Sequence, residues 1–588
     1  MQVDSMHMEA MEYPSATRCA ECHPRQYRQW STSPHAYAQL SPVYNSMQAT
    51  LIKLNNGTTG DFCIRCHNTT GMARDEPVFT ANANRDPVSR EGVTCVTCHR
   101  VNEDWGKISG RQHIIPGDLY GTIYGPSEGA RFDSLQEEPQ FRLSTERDQN
   151  RTRAVHLDVE PFFKLSEPGM CGSCHDVTSL GGLRLEEAFS EYKSSPAADR
   201  GISCQDCHMG EEQGAYSGSP ETNYATGPAA VVGGNPTPPR KATDHTFAGP
   251  DHSIIHPGVY PHDPEMKEFA TMEEWLKFDW EAGWGTPAFE DTVSGDYAFP
   301  ERWSFYTDRL DARFYIEQQF QKLNDYAEER REVLRNGYRI GEIRTHRAST
   351  DGIQFRVEVE NATTGHNVPT GFIAERPVYL RVVVRDADGD TVFVSGDLDA
   401  NGDLRDSHSL MVHAGEAEPD PYLFNLQSEF ILSMVRGGER EQVLAVNQSL
   451  DPLPFSRPSR RSTILTGQPG AVRIHRRGIE PLGSRWPEYE VSEERLEGSE
   501  GPYRATVKLI SGMVPVNLIG KIQKVGFDYG MSAREVADRI VAGHAVLWEY
   551  GATIELGQDP DEIRWEKRDL PPPTWLDIPV QDTADGSN

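Results

Sequence analysis

The stretch Cys19-Ala20-Glu21-Cys22-His23 decides the fold, because its pattern returns four more times: Cys63-Ile64-Arg65-Cys66-His67, Cys95-Val96-Thr97-Cys98-His99, Cys171-Gly172-Ser173-Cys174-His175 and Cys204-Gln205-Asp206-Cys207-His208. These five copies use all ten cysteines of the chain. Two thiols at this spacing can add across the vinyl groups of one porphyrin, and the next histidine is then placed under the iron as its proximal ligand. Zinc sites, redox dithiols and disulfides also use paired cysteines, but none of them needs a histidine directly after the second one. Only 19 of the 588 residues are histidine, so its presence at all five places selects covalent haem. The expectation is five covalently bound haem c groups. Cys19, Cys22, Cys63, Cys66, Cys95, Cys98, Cys171, Cys174, Cys204 and Cys207 attach them, and His23, His67, His99, His175 and His208 are the proximal ligands.

Composition sets the surroundings. Haem attachment of this kind belongs to oxidising compartments, so a periplasmic or extracellular location is expected. The first residues, Met1 to Cys19, lack a basic segment followed by an apolar run, which reads as a start near a mature terminus after removal of a signal peptide. No run of about 18 apolar residues occurs, so no transmembrane segment is expected. The formal charge is −31, and 46 arginines stand against 12 lysines and 89 acids. Such acidity argues against nucleic acid as a partner and favours redox partner proteins with a basic face.

Work outward from the motifs and the chain divides. Residues 1–265 read as a loop-rich and α-helical pentahaem domain, with an irregular Pro/Gly/Ala stretch from Thr226 to Asp244. Residues 266–345 read as a helical connector, with Leu310, Phe314, Phe320, Leu323 and Tyr326 as a packing stripe. Residues 346–565 change to a period of two: Ile353, Phe355, Val357 and Val359 alternate with polar neighbours, and Asp386 to Asp390 signals a hairpin. The run Glu441 to Gln448 suits a further strand and the segment near Met531 to Gly543 a helix. The fold class is therefore multidomain, ending in a C-terminal antiparallel β-sandwich. Residues 566–588 read as a surface or disordered tail.

Fourteen histidines remain for the distal iron faces, so supply does not force an open haem. The run Cys19 to Ala36, with Trp30, Ser33 and His35, resembles the multihaem cytochrome group of hydroxylamine-oxidoreductase-like proteins and their tetrahaem electron acceptors. The segments around His113, His156, Glu187 to Met209, and His245 to His252 are similar to later motifs of that group. The resemblance implies distal ligation by His35, His113, His156, His245 and His252. The run Glu360 to Asp406 is similar to a Gly-His-x-x-Pro-Thr-Gly β-domain often joined to such haem domains. There His366 is either a cross-domain ligand or a turn residue. If it ligates, one of His252, His256 or His262 is spare. Departures from the group weigh against its enzymes: no cysteine is left for a lysine-ligated catalytic haem, and five motifs are fewer than the eight of hydroxylamine oxidoreductases.

Asp397, Asp399, Asn401, Gly402, Asp403 and Asp406 look like the first half of a calcium loop, but His408 stands where the bidentate glutamate would be. An acidic hairpin turn competes with bound calcium there. No catalytic residue is assigned. The leading functional expectation is electron transfer along closely packed bis-histidine haems. The alternatives are an oxidoreductase with one open catalytic haem, and self-assembly into an oligomer or conductive extracellular filament, with His7 as a ligand donated to a neighbour.

Overall fold

The computed structural model describes residues 13–576 except 55, 58, 104–108, 111, 127–128, 145–152, 155, 179–183, 217–224, 434–438 and 442–471. His7 and the expected strand at Glu441 to Gln448 fall largely outside the described residues.

In the N-terminal half the helices are short, and several have a local cause. Ser15 caps α1 (Ala16–Ala20), Pro24 starts α2 (Pro24–Ser31), and Ser33 caps α3 (Pro34–Tyr37), which carries His35. Then come α4 (Pro42–Leu54), α5 (Ile64–His67), α6 (Cys95–His99), α7 (Pro168–Gly172), α8 (Ala188–Lys193) and α9 (Cys204–His208). α9 has a full capping box between Ser203 and Asp206.

The connector is dominated by α10 (Tyr306–Gly337). Its buried face runs Arg309, Ala312, Ile316, Gln319, Leu323, Tyr326, Arg330 and Leu334, at steps of three and four. Phe320, Leu323 and Tyr326 pack as the sequence suggests, whereas Phe314 is exposed. The reason lies in the neighbours. α10 packs on irregular chain whose carbonyls need donors, so Gln319 donates to Pro257 and Pro261, and Arg330 to Pro250 and Gly543.

Short paired strands occur earlier, and Ala225–Pro228 with Pro239–Ala242 order part of the stretch expected to be irregular, but the long strands begin at Tyr338, directly after α10. β1 (Tyr338–Ser349) pairs antiparallel with β2 (Gly352–Asn361). A second, open sheet contains β3 (Val378–Arg385) and β4 (Thr391–Ser395), joined through Asp386 to Asp390. The first sheet is completed by β5 (Ser484–Arg485) and β6 (Glu488–Ser492), both on β2. In the second, β7 (Tyr503–Ser511) pairs with β3, β8 (Ala545–Ile554) with β7, and β9 (Glu566–Lys567) with β8. Inward side chains of both sheets share one core: Ile353, Phe355, Val357 and Val359 meet Leu380, Val382, Ala505, Val507 and Leu509. Two helices, α11 (Val516–Ile522) and α12 (Ala533–Ala542), leave this region and pack with Trp30, Tyr37 and Leu40 of the haem-motif region. Among the described residues no helix is long and apolar enough to cross a membrane.

Candidate haem-binding site

Each Cys-x-x-Cys-His forms one helical turn. In the first, second and fourth motifs the histidine N–H donates to the carbonyl of the first cysteine, at 2.8 Å for His23, 3.3 Å for His67 and 2.9 Å for His175. The third and fourth residues onward from Cys95 and Cys204 are helical as well. A turn brings residues i and i+4 to the same side, so cysteines and histidine address one body.

The motifs open on a single cavity of 2290 Å³, lined by all ten cysteines and by His23, His35, His67, His99, His156, His175, His208, His245 and His366. Pockets for one small molecule run to about 1,000 Å³, so this space suits several large groups.

Histidines from distant parts of the chain face each other across it. The ring centroids of His23 and His156 are 6.4 Å apart with planes 11° from parallel. His208 and His366 are 6.2 Å apart at 15°, and His35 and His175 are 6.3 Å apart at 38°. Two imidazoles bound to one iron from opposite faces have centroids about 6 Å apart, given metal–nitrogen bonds of about 2 Å. His245 lines the same cavity, and burial first, then His99, disfavours its protonation. His67 is different: Tyr44 stacks on it at 4.0 Å and 5°, flanking its ring, and among the described residues no histidine faces it at such a distance.

The nitrogens tell the same story. Nδ1 of His23 is 2.8 Å from the Ala229 carbonyl, of His99 2.8 Å from Tyr124, and of His156 3.0 Å from Leu119. His245 uses Thr243 at 3.1 Å, His366 uses Asn367 at 2.8 Å, and His67 uses Ala38 at 3.4 Å. A proton held on Nδ1 by a carbonyl leaves the Nε2 lone pair for a metal. Burial disfavours protonation of five of the cavity histidines, pulling His35 down to about 3 and His67, His156, His208 and His245 to about 4. The residues present therefore fit haem iron.

His252 is placed otherwise. It lies outside the cavity lining, against Gly543, with Nε2 directed at the Arg539 carbonyl at 3.4 Å. His256 and His262 also turn Nε2 to backbone carbonyls, of Phe278 and Ala36. His113 is outside the lining too, 47% exposed at its side chain and 3.6 Å from Glu103.

Cysteines of different motifs approach each other. Cys19 lies beside Cys95, Cys66 beside Cys174, and Cys171 beside Cys204, each close enough for their thiols to interact. Cys98 also feels Cys174. Burial raises the thiols of Cys63, Cys98 and Cys207 to about 12. None of the ten cysteines is in a disulfide. Among the described residues no group of three or more His, Cys, Asp or Glu side chains is arranged to hold a metal ion by itself.

The acidic turn is self-contained. Asp399 accepts the N–H groups of Asn401, Gly402 and Asp403 and the hydroxyl of Ser409, Asp397 pairs with Arg405 at 2.7 Å, and Asp406 bonds His408. Its carboxylates are thus engaged within the hairpin and its surroundings.

Sequence reasoning missed three contributors. Tyr44 carries no motif. Phe247 packs on both His35 (4.6 Å) and His245 (5.8 Å). Glu91, buried, accepts the Ala16 N–H at 2.8 Å and anchors α1.

Residues 18–100, which hold the first three motifs, match a family described as cytochrome c554 and c-prime. A penta-heme cytochrome c552 from Thermochromatium tepidum is structurally similar at a TM-score of 0.47 and 16% identity, over 92% of this chain and 99% of that one. No protein with a curated description matches. The five motif turns and the family match support a multihaem c-type cytochrome that transfers electrons, with haem c as its cofactor.

Proposed function

We propose that this chain is an exported pentahaem cytochrome that passes electrons along closely packed haems, most of them held between two histidines. The observation that carries the reading is the shared geometry of the facing rings: centroids 6.2–6.4 Å apart in three pairs, with Nδ1 turned to a carbonyl in each ring for which a ring-nitrogen bond is described. The pairings are His23 with His156, His99 with His245, His175 with His35 and His208 with His366. Two axial imidazoles keep iron low-spin and limit rearrangement on electron gain, which suits rapid transfer.

The cysteine contacts support a spatial order. The first motif adjoins the third through Cys19 and Cys95, and the fourth adjoins the third, second and fifth through Cys174 and Cys171. Residues 1–265 hold the haems, 266–345 brace them, and 346–565 supply His366 and a docking body. Haem attachment places assembly in the periplasm or outside the cell, and the acidic surface favours a redox partner with a basic face.

His67 supports a second reading, in which the second haem has an open face and acts on a small molecule. Tyr44 flanks His67, and Met47 and Leu51 follow on the same helix and line the cavity. Electron paramagnetic resonance of the oxidised protein, with haem quantitation, tests both. Five haems with only low-spin signals support the carrier and sink the open site. A high-spin ferric signal of about one haem per chain, abolished by added imidazole, supports the open site. Fewer than five haems sinks the pentahaem reading.

A further inference from the structure

We propose that Glu191 is the positioning residue for the axial ligand that the β region lends to the fifth haem site, holding His366 opposite His208. This rests on the reading of His366 as a ligand given above.

Glu191 sits on α8, between the fourth and fifth motifs, and accepts three hydrogen bonds from the loop that carries His366. These come from the Asn367 backbone N–H at 3.2 Å, the Asn367 side-chain amide at 3.0 Å and the Thr370 hydroxyl at 2.6 Å. Asn367 in turn supplies the carbonyl that holds Nδ1 of His366 at 2.8 Å. One carboxylate thus fixes the peptide that sets the tautomer and direction of the imidazole. Three bonds to one side chain make this the most connected grip on the loop from α8.

Its base is equally fixed. Phe189, two residues earlier, packs so tightly on Gly172 that a Cβ there would come within 2.4 Å of its ring. Gly172 lies between Cys171 and Cys174, so α8 is registered against the fourth motif. One turn before Glu191, Glu187 pairs with Arg476 of the β region. The helix therefore offers two carboxylates to the β region, with different targets: Glu187 holds the body and Glu191 holds the ligand loop. Secondary ties, Ala197 N–H to Thr364 at 3.1 Å and Arg200 to the Thr364 hydroxyl at 2.8 Å, grip the loop upstream of His366.

The test is the ferric spin state of the full-length haem-loaded protein, with and without added imidazole. His366→Ala is expected to gain a high-spin signal of about one haem per chain, which imidazole abolishes. Glu191→Ala is expected to gain a smaller signal of the same kind, and Glu191→Gln, whose amide oxygen still accepts, a smaller one again. Thr370→Val removes a single bond and serves if Glu191→Ala does not mature. Glu187→Ala is expected to stay low-spin. The proposal is overturned if Glu191→Ala and Thr370→Val both match the wild type, or if Glu187→Ala shifts the spin state as much as Glu191→Ala. If His366→Ala stays fully low-spin, the ligand reading itself fails and this inference goes with it.

Discussion

The two ends of this molecule are ordered by different means. In the β region, strands alternate side chains into one core, and Phe355, Val357, Val382 and Val507 are fully buried there. In the haem-motif region, helices of four to thirteen residues wrap a 2290 Å³ cavity, and its own apolar clusters are small. A sheet core is complete in its amino acids, whereas a wall around a cofactor is not. The β region should therefore stand on side chains alone, and the haem-motif region on what its cysteines attach.

The strongest way to break that contrast is to make the chain without haem attachment. Residues 13–265 are expected to become protease-sensitive while a fragment containing β1 to β9 survives, read by mass spectrometry of the digest. Equal resistance of both regions would mean that the N-terminal fold does not depend on its cofactors.

Next in size is Phe355→Ala. Phe355 stacks on Tyr489 at 5.6 Å and meets Trp565 at 5.0 Å, so truncation opens a cavity in the sheet core. A loss of about 3–5 kcal/mol in unfolding free energy is expected. Spectra of the haems should not change below the transition. Coincident loss of haem spectra at low denaturant would show that the regions fold as one.

A finer probe compares two histidines of the haem-motif region. His156→Ala is expected to convert one haem to high spin, because its ring faces His23 across the cavity. His252→Ala should leave every haem low-spin and lower the melting temperature, since its Nε2 bonds the Arg539 carbonyl. The opposite result would move the ligand set toward His252.

These histidines also mark where the chain could be read directly and where it could not. The turns that carry the ten cysteines are local, and so is the alternation of β2, so both are visible in short windows. The choice of distal histidine is not local. His156 and His245 owe their orientation to carbonyls of Leu119 and Thr243, and only folding brings the first near. The segment Asp244 to His252 contains two histidines of similar local setting, yet one lines the cavity and the other is drawn to α12. Likewise Arg330 and Gln319 face inward on α10 because distant carbonyls need donors, a demand that a hydrophobic pattern does not record.

The smallest effect lies in the acidic turn of the β region, and it sharpens the contrast from the other side. Asp403 is 3% exposed, and burial raises its carboxyl to about 7, opposed by a bond from the Asn517 N–H at 2.8 Å. Its folded value exceeds the ordinary 3.8, so the folded state holds the proton more tightly than the unfolded one. The stabilisation is fully present below about pH 4 and is lost as pH rises through about 7. Asp403→Asn keeps an oxygen for Asn517 and removes the titration. Its melting temperature should therefore gain on that of the wild type between pH 5 and pH 8. A calcium ion in this turn would reverse the sign, since it would hold Asp403 ionised and make the Asn variant the weaker at pH 8. A chelator would then lower the wild-type melting temperature, whereas a turn closed by Asp399 and Arg405 alone is indifferent to it.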